Sequence, residues 1–174
     1  RGSMGSKEQG ADATQGRWLV IARTLCFVFN GDSVLLMRRA PHKRVFPNQY
    51  NGLGGHIERY EDPLTCAVRE IREESGLYVR DVRLCGVYNI DTGGASGIVL
   101  FIFSAMSDTR DVVNETDEGR LEWVRVDEAL HLDLVEDLPH ILPRVFTMSN
   151  DSPPFFAHVS YDEHDHLVMR FVGE

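Results

Sequence analysis

Gly54-Gly55-His56-Ile57-Glu58-Arg59-Tyr60-Glu61-Asp62-Pro63 runs directly into Leu64-Thr65-Cys66-Ala67-Val68-Arg69-Glu70-Ile71-Arg72-Glu73-Glu74-Ser75-Gly76-Leu77, and this stretch decides the fold. Asp62 followed by Pro63 reads as a helix start, an N-cap oxygen and then a proline whose fixed φ suits the first turn. Gly76 reads as the stop, because glycine takes the left-handed conformation that closes a helix at little cost. The roughly 13 residues between them make about 20 Å of helix at about 1.5 Å per residue. Leu64, Ala67, Val68 and Ile71 recur at three- and four-residue intervals, which predicts a buried stripe. Glu70, Glu73 and Glu74 stand at i, i+3 and i+4 on a neighbouring arc, so three carboxylates lie side by side.

Like charges at i, i+4 destabilise an isolated helix by roughly 0.2–0.5 kcal/mol per pair. One reading of the arc is a solvated acidic face. The other is a site for hard divalent cations, whose preference for oxygen ligands turns the repulsion into coordination. Gly54-Gly55 supports the second, since it lets backbone come close to a ligand or to the helix.

These residues resemble the signature of the Nudix hydrolases, G-x5-E-x7-R-E-U-x-E-E-x-G-U with U a bulky apolar residue. Gly55, Glu61, Arg69, Glu70, Ile71, Glu73, Glu74, Gly76 and Leu77 fill every fixed position. The resemblance implies an α/β fold, an α/β/α sandwich with a mixed sheet, and metal-dependent cleavage of a nucleoside diphosphate linked to a second group. It implies that Glu70, Glu73 and Glu74 are metal ligands and catalytic residues, with Glu73 or Glu74 close to the attacking water, and that Gly55 offers its carbonyl. Mg²⁺ is the natural cofactor, since it keeps several waters and needs few carboxylates, with Mn²⁺ as the alternative. Arg69 is expected to orient the loop and helix through an ion pair with Glu61, so Glu61, Arg69 and Gly76 are read as structural.

Outside the signature, Asn51-Gly52-Leu53-Gly54-Gly55-His56 is similar to the opening of the family's oxidised-purine nucleoside triphosphate diphosphatases, which act on 8-oxo-dGTP. The downstream segment around Trp123, the acidic run Glu136-Asp137 and the C-terminal Phe155–Val172 hairpin are also like that subgroup. The resemblance implies that Asn51 and Asp137 read the purine and that Glu118 adds an acid to the metal site. Each has a plainer reading: a turn asparagine, a helix N-cap before Pro139, and a solvated loop acid. His56 departs from the subgroup's usual lysine, Glu136-Asp137-Leu138 departs from its acidic run, and the basic loop before Asn51 is longer. That loop, with Arg38, Arg39, His42, Lys43 and Arg44, suits either phosphate contact, Arg39 above all, or solvation.

The chain has 174 residues, 43% of them hydrophobic and 26% charged, as in an ordinary globular protein. Arg1–Ser6 reads as an expression-tag remnant and 7–16 as a loose lead-in, leaving 17–174 as one domain. A formal charge of −9 argues against a nucleic-acid-binding surface, which needs a basic stripe. It does not exclude a small nucleotide brought in with divalent cations. Cys26, Cys66 and Cys85 have no metal-ligand spacing and read as reduced thiols of a cytoplasmic protein. No stretch approaches the length of a bilayer span. The expected partner is a small-molecule nucleotide, with no nucleic acid or membrane, for a monomer or homodimer.

In chain order, Trp18–Asn30 and Ser33–Arg39 read as strands around a Gly31-Asp32 turn. A short strand over Asn48–Ile57 enters the glycine loop, and one or two strands follow over Tyr78–Asp91. Ile98–Met106 is a continuous apolar run of central-strand length. Arg120–Val126 is a strand, Asp127–Leu130 a helical turn, and Leu134–Met148 a helix with Pro139 near its start. Phe155–Tyr161 and His166–Val172 form the last hairpin. The leading function is pyrophosphohydrolysis of nucleoside triphosphates, with oxidised purines as candidate substrates. The alternatives are a hydrolase of ADP-ribose, nucleotide sugars or dinucleoside polyphosphates, and a non-catalytic nucleotide-sensing domain.

Overall fold

A computed structural model of the chain describes residues 5–11 and 14–174, so Arg1–Met4 of the expected remnant and Asp12 and Ala13 of the lead-in lie outside the described residues. Ser6–Gln9 is a short 3-10 turn. The strands are β1 Leu19–Asn30, β2 Ser33–Arg39, β3 Tyr50–Asn51, β4 Arg80–Ile90, β5 Ser96–Met106, β6 Glu115–Thr116, β7 Gly119–Arg125, β8 Phe155–Tyr161 and β9 Leu167–Phe171. The helices are α1 Pro63–Ser75, α2 Val126–Ala129 and α3 Leu138–Thr147. The strands form one mixed sheet in the order β6-β7-β2-β1-β5-β4-β8-β9, with β3 paired to β2. β1 runs parallel to β5, β4 runs parallel to β8, and β8–β9 is the expected C-terminal hairpin. Among the described residues no helix is long and apolar enough to cross a membrane.

Burial on both faces follows from the alternation of side chains along β1 and β5. Leu25, Phe27 and Ile102 point into the core under α3, while Cys26, Val28 and Phe103 point into the core under α1. That is why these two central strands are nearly continuous in apolar residues rather than alternating with polar ones. The layers are therefore helix, sheet, helix.

Three local expectations are corrected. The buried positions of α1 are Cys66, Ala67, Ile71 and Ser75, whereas Leu64 and Val68 are 46% and 38% exposed. Small side chains at 66, 67 and 75 let the helix sit close to the sheet, and this rotates the expected stripe away from Leu64 and Val68. The same rotation carries Glu70 and Glu74 inward, to the flank of the contact face. The strand expected over Asn48–Ile57 reduces to Tyr50–Asn51 with isolated bridges, Cys26 to Leu53 and Arg23 to His56. Gly54, at φ +140°, lies so close to β1 that a Cβ there would stand 2.1 Å from the Thr24 carbonyl oxygen. The last helix starts at Leu138 rather than Leu134, because Leu134 and Val135 are taken by backbone pairing with Tyr50.

The ends of α1 are built as the sequence reads. Asp62 Oδ1 accepts the Thr65 backbone N–H at 2.9 Å, and Asp62 Oδ2 accepts the Thr65 hydroxyl at 2.7 Å. Gly76, at φ +80°, donates its N–H to the Arg72 carbonyl at 2.9 Å.

Candidate active site

The glycine loop is laid along β1 by main-chain bonds, Thr24 N–H to Gly55 O at 2.9 Å and Ile57 N–H to Ala22 O at 3.0 Å. Arg69 then ties the loop to the helix. Its Nη2 and Nε donate to the two oxygens of Glu61 at 2.6 and 2.9 Å, a fork on a carboxylate. Its Nη1 donates to Glu70 at 2.9 Å and to Glu73 at 3.1 Å, and Nη2 also reaches the His56 carbonyl at 3.2 Å. Hydrogen bonding from Arg69 holds the Glu61 carboxyl down at about 2, with further help from the Glu58 N–H. One arginine thus neutralises most of the acidic run and fixes the loop that carries Gly54 and Gly55.

Glu74 lies on the other side of this unit and has no cation beside it. Burial, and then the charge of Glu70, push its carboxyl up to about 8, opposed by the Gly54 N–H at 3.4 Å. Glu70 packs so closely on Gly55 that a Cβ at residue 55 would stand 2.5 Å from its Oε1. The glycine is therefore required by the neighbouring carboxylate as well as by the turn. Two half-buried, mutually repelling carboxylates beside a backbone carbonyl form the donor set of a hard cation, and Glu70, Glu74 and Gly55 fit one. Among the described residues no three His, Cys, Asp or Glu side chains draw together into a metal-holding cluster. The remaining expected ligands are engaged elsewhere: Glu73, 60% exposed, with Arg69, and Glu118 with Lys43 Nζ at 2.7 Å.

Beside the carboxylates the sheet opens into a cleft of about 480 Å³ on the side of α3. Asn51, Asp137, Arg39, Glu74 and Glu118 all line it, so the structure brings together residues that are far apart in sequence. Asn51 Oδ1 accepts the Gly52 N–H at 2.8 Å, which fixes the amide and leaves its NH₂ group to donate. Asp137 occupies the N-cap position of α3, yet its side chain makes no capping bond. Its carboxyl is pushed up by burial and by the neighbouring Glu136. Arg39 donates its Nε to the Val45 carbonyl at 2.8 Å, which folds the basic loop over the cleft with Val45 and Phe46 on the lining.

Lys43, read with the basic loop, braces Glu118. Two groups were outside the sequence expectation: Tyr161 donates its hydroxyl to Glu136 beside Asp137, and Arg23 projects from β1. Only Arg23 carries a signal in the sequence: it is the sole charged residue in the apolar run Leu19–Asn30. Tyr161 depends on long-range pairing that no local pattern encodes.

Similarity to known proteins agrees with this geometry. The NUDIX domain model matches residues 20–145. An uncharacterised Nudix hydrolase of Bacillus subtilis is 32% identical over 123 residues, 68% of this chain and 75% of its own length. The oxidised purine nucleoside triphosphate hydrolase of Mus musculus is 28% identical over 153 residues, 87% of this chain and 93% of its own length. The crystal structure of the MutT mutator protein of Bacillus halodurans superimposes with a TM-score of 0.75 at 26% identity, over 89% of this chain and 99% of that one. A complete signature at fixed spacing, the loop–helix unit tied by Arg69 and a matched domain over most of the chain lead to one conclusion: the chain belongs to the Nudix hydrolase family, enzymes that act on phosphoanhydride bonds.

Proposed function

We propose that this enzyme is a Mg²⁺-dependent pyrophosphohydrolase that cleaves nucleoside triphosphates to monophosphate and pyrophosphate, with oxidised purine nucleotides such as 8-oxo-dGTP among its substrates. The observation that carries the reading is Asp137, a half-buried carboxyl that stands at a helix N-cap without capping it and lines the same cleft as Asn51. A carboxyl raised in this way keeps its proton more readily and can donate to a purine carbonyl or ring nitrogen. The Asn51 amide adds a second donor. The overall similarity to the mouse hydrolase supports the same substrate class.

Arg39 and the loop it folds over the cleft bind the phosphate chain in this reading. A water attacks phosphorus, the anhydride bond between the α- and β-phosphates breaks, and pyrophosphate leaves with the electron pair. Glu74, unprotonated once a cation faces it, takes the proton from that water, with Glu73 as the nearby alternative. Held by Glu70, Glu74 and the Gly55 carbonyl, and joined by Glu73 and Glu118, a divalent cation would neutralise phosphate oxygens and lower the pKa of its bound water. Glu61, Arg69 and Gly76 hold the loop and helix in place.

The test is product identification with Mg²⁺ across 8-oxo-dGTP, dGTP, dATP, dCTP, ADP-ribose and a dinucleoside polyphosphate, with and without EDTA. Monophosphate and pyrophosphate from the purine triphosphates, abolished by EDTA and restored by Mg²⁺, is the expected outcome. Turnover confined to ADP-ribose or the dinucleotide would overturn the substrate class, and no turnover on any of them would favour a sensing role.

A further inference from the structure

We propose that Arg23, held in place by His56, is a substrate-binding residue of this cleft that contacts a non-bridging oxygen of the substrate's phosphate chain. The inference rests on the triphosphate reading and adds to it a cation that neither the signature nor the basic loop contains.

Arg23 extends from β1 on the same face as Leu25, two residues on, and both line the cleft. Its strand position pairs with His56, and the flanking main-chain bonds at Thr24–Gly55 and Ala22–Ile57 fix that register. The guanidinium therefore emerges beside Gly55, next to the carboxylate end of the site. Its Nε donates to His56 Nε2 at 3.3 Å, and its Nη2 lies 3.2 Å from the same atom. An Nε2 that accepts has no proton of its own, so the imidazole is neutral and carries its proton on Nδ1.

A neutral partner orients a guanidinium without cancelling its charge. Six of the sixteen arginines, Arg69, Arg80, Arg110, Arg120, Arg125 and Arg144, are placed differently, each with a carboxylate within 4 Å. Among the described residues no carboxylate lies within that distance of Arg23. The nearby acids are already engaged or face inward: Arg69 takes Glu61, Glu70 and Glu73, Lys43 takes Glu118, and Glu74 is held by the Gly54 N–H. A charged residue in an apolar strand, open to a cleft, oriented and not neutralised, is matched to an anionic ligand. The planar fork presents paired donors to phosphate oxygens, a geometry that a lysine lacks. Arg23 from β1 and Arg39 from β2 then hold the phosphate chain from two strands, while Asn51 and Asp137 face the base.

The experiment measures kcat and KM for dGTP with Mg²⁺ in wild type, Arg23→Gln, Arg23→Lys, His56→Leu and His56→Gln, alongside the melting temperature of each. Arg23→Gln is expected to raise KM about tenfold or more with a much smaller change in kcat, since removal of uniform binding acts on KM. Arg23→Lys should recover only part of that loss. His56→Leu should raise KM severalfold, and His56→Gln, which keeps an acceptor, should restore it; a merely structural histidine would not show this rescue. A KM for Arg23→Gln within twofold of wild type overturns the proposal, as does a loss confined to kcat. If wild type turns over no triphosphate, the substrate reading fails separately, and calorimetry with inorganic tripolyphosphate then decides the role of Arg23. Binding at least tenfold weaker in Arg23→Gln supports it, and equal binding overturns it.

Discussion

The two ends of the loop–helix unit treat a glutamate in opposite ways. Glu61, where the chain enters the helix, has a side chain only 2% exposed and is gripped by both arms of a guanidinium, which hold its carboxyl at about 2. Glu74, one residue before the helix ends, is also withdrawn from water but faces Glu70 rather than a cation, and its carboxyl rises to about 8. Burial is common to both, so the partner decides the sign. A carboxylate with both oxygens gripped by one guanidinium is part of the scaffold. An acid left without one is poised for a cation or a proton from outside.

Glu73, tied to Arg69 by an exposed contact rather than gripped as Glu61 is, has the largest expected effect outside Glu74. Glu73→Gln should leave the fold intact and lower kcat by about 10²–10³, the scale of losing one preorganised electrostatic group. Its single exposed contact with Arg69 contributes little to stability, because exposed i, i+4 pairs are worth about 0.3–0.5 kcal/mol. Normal turnover by this variant would remove Glu73 from the mechanism.

Asp137 belongs with Glu74, as an acid raised by burial without a cation. Asp137→Ala and Asn51→Ala should each raise KM for dGTP and 8-oxo-dGTP about tenfold or more, with less change in kcat, and should narrow the advantage of purines over dCTP. Equal kcat/KM on all bases in wild type, or unchanged variants, would sink the base-reading role while leaving the hydrolase intact.

The same contrast fixes two opposite pH trends in the metal-free protein. Glu61 has a depressed pKa, so its contribution is full above the ordinary carboxyl value of 4.5 and is lost as pH falls toward about 2. Glu74 has a raised pKa, so between 4.5 and about 8 the folded state retains a proton that the unfolded state has released, and stability falls as pH rises through that window. Mg²⁺ bound at Glu74 must displace that proton. Calorimetry at pH 7 in buffers of different ionisation enthalpy should therefore detect proton release in wild type and less in Glu74→Gln.

The smallest effect lies in the core beneath α3. Tyr88 is buried in the core under α3, and its hydroxyl is the one buried side-chain polar atom without a hydrogen-bond partner among the described residues. Tyr88→Phe should be neutral or stabilising by up to about 1 kcal/mol, because it removes an unsatisfied group without opening a cavity. A clear loss of activity would show that the cleft reaches further into the core than its lining residues indicate.

Local rules carried much of this into the sequence. Asp62, Pro63 and Gly76 bound α1 as their capping chemistry requires, and the continuous apolar run at Ile98–Met106 is the central strand β5. Periodicity failed where packing distance overrode it: Leu64 and Val68 have helical spacing, but the sheet contact selected the small residues Cys66, Ala67 and Ser75. At Asn51 and Asp137 the local turn and cap positions are as read from the chain, yet only the crossing of β3 and the α3 entry shows that both line one cleft. Arg23 needed the strand pairing with His56 before its lone charge acquired a meaning.

The most direct measurement compares Glu61→Gln and Glu74→Gln at pH 7, recording kcat/KM with Mg²⁺ and the melting temperature without it. Glu61→Gln should lower the melting temperature and retain a substantial part of the activity. Glu74→Gln should nearly abolish hydrolysis and raise the metal-free melting temperature, about 2–4 °C for each kcal/mol recovered in a domain of this size. Two variants that lose stability and activity together, or a Glu74→Gln enzyme that still turns over, would contradict the division of the unit into a scaffold end and a reactive end.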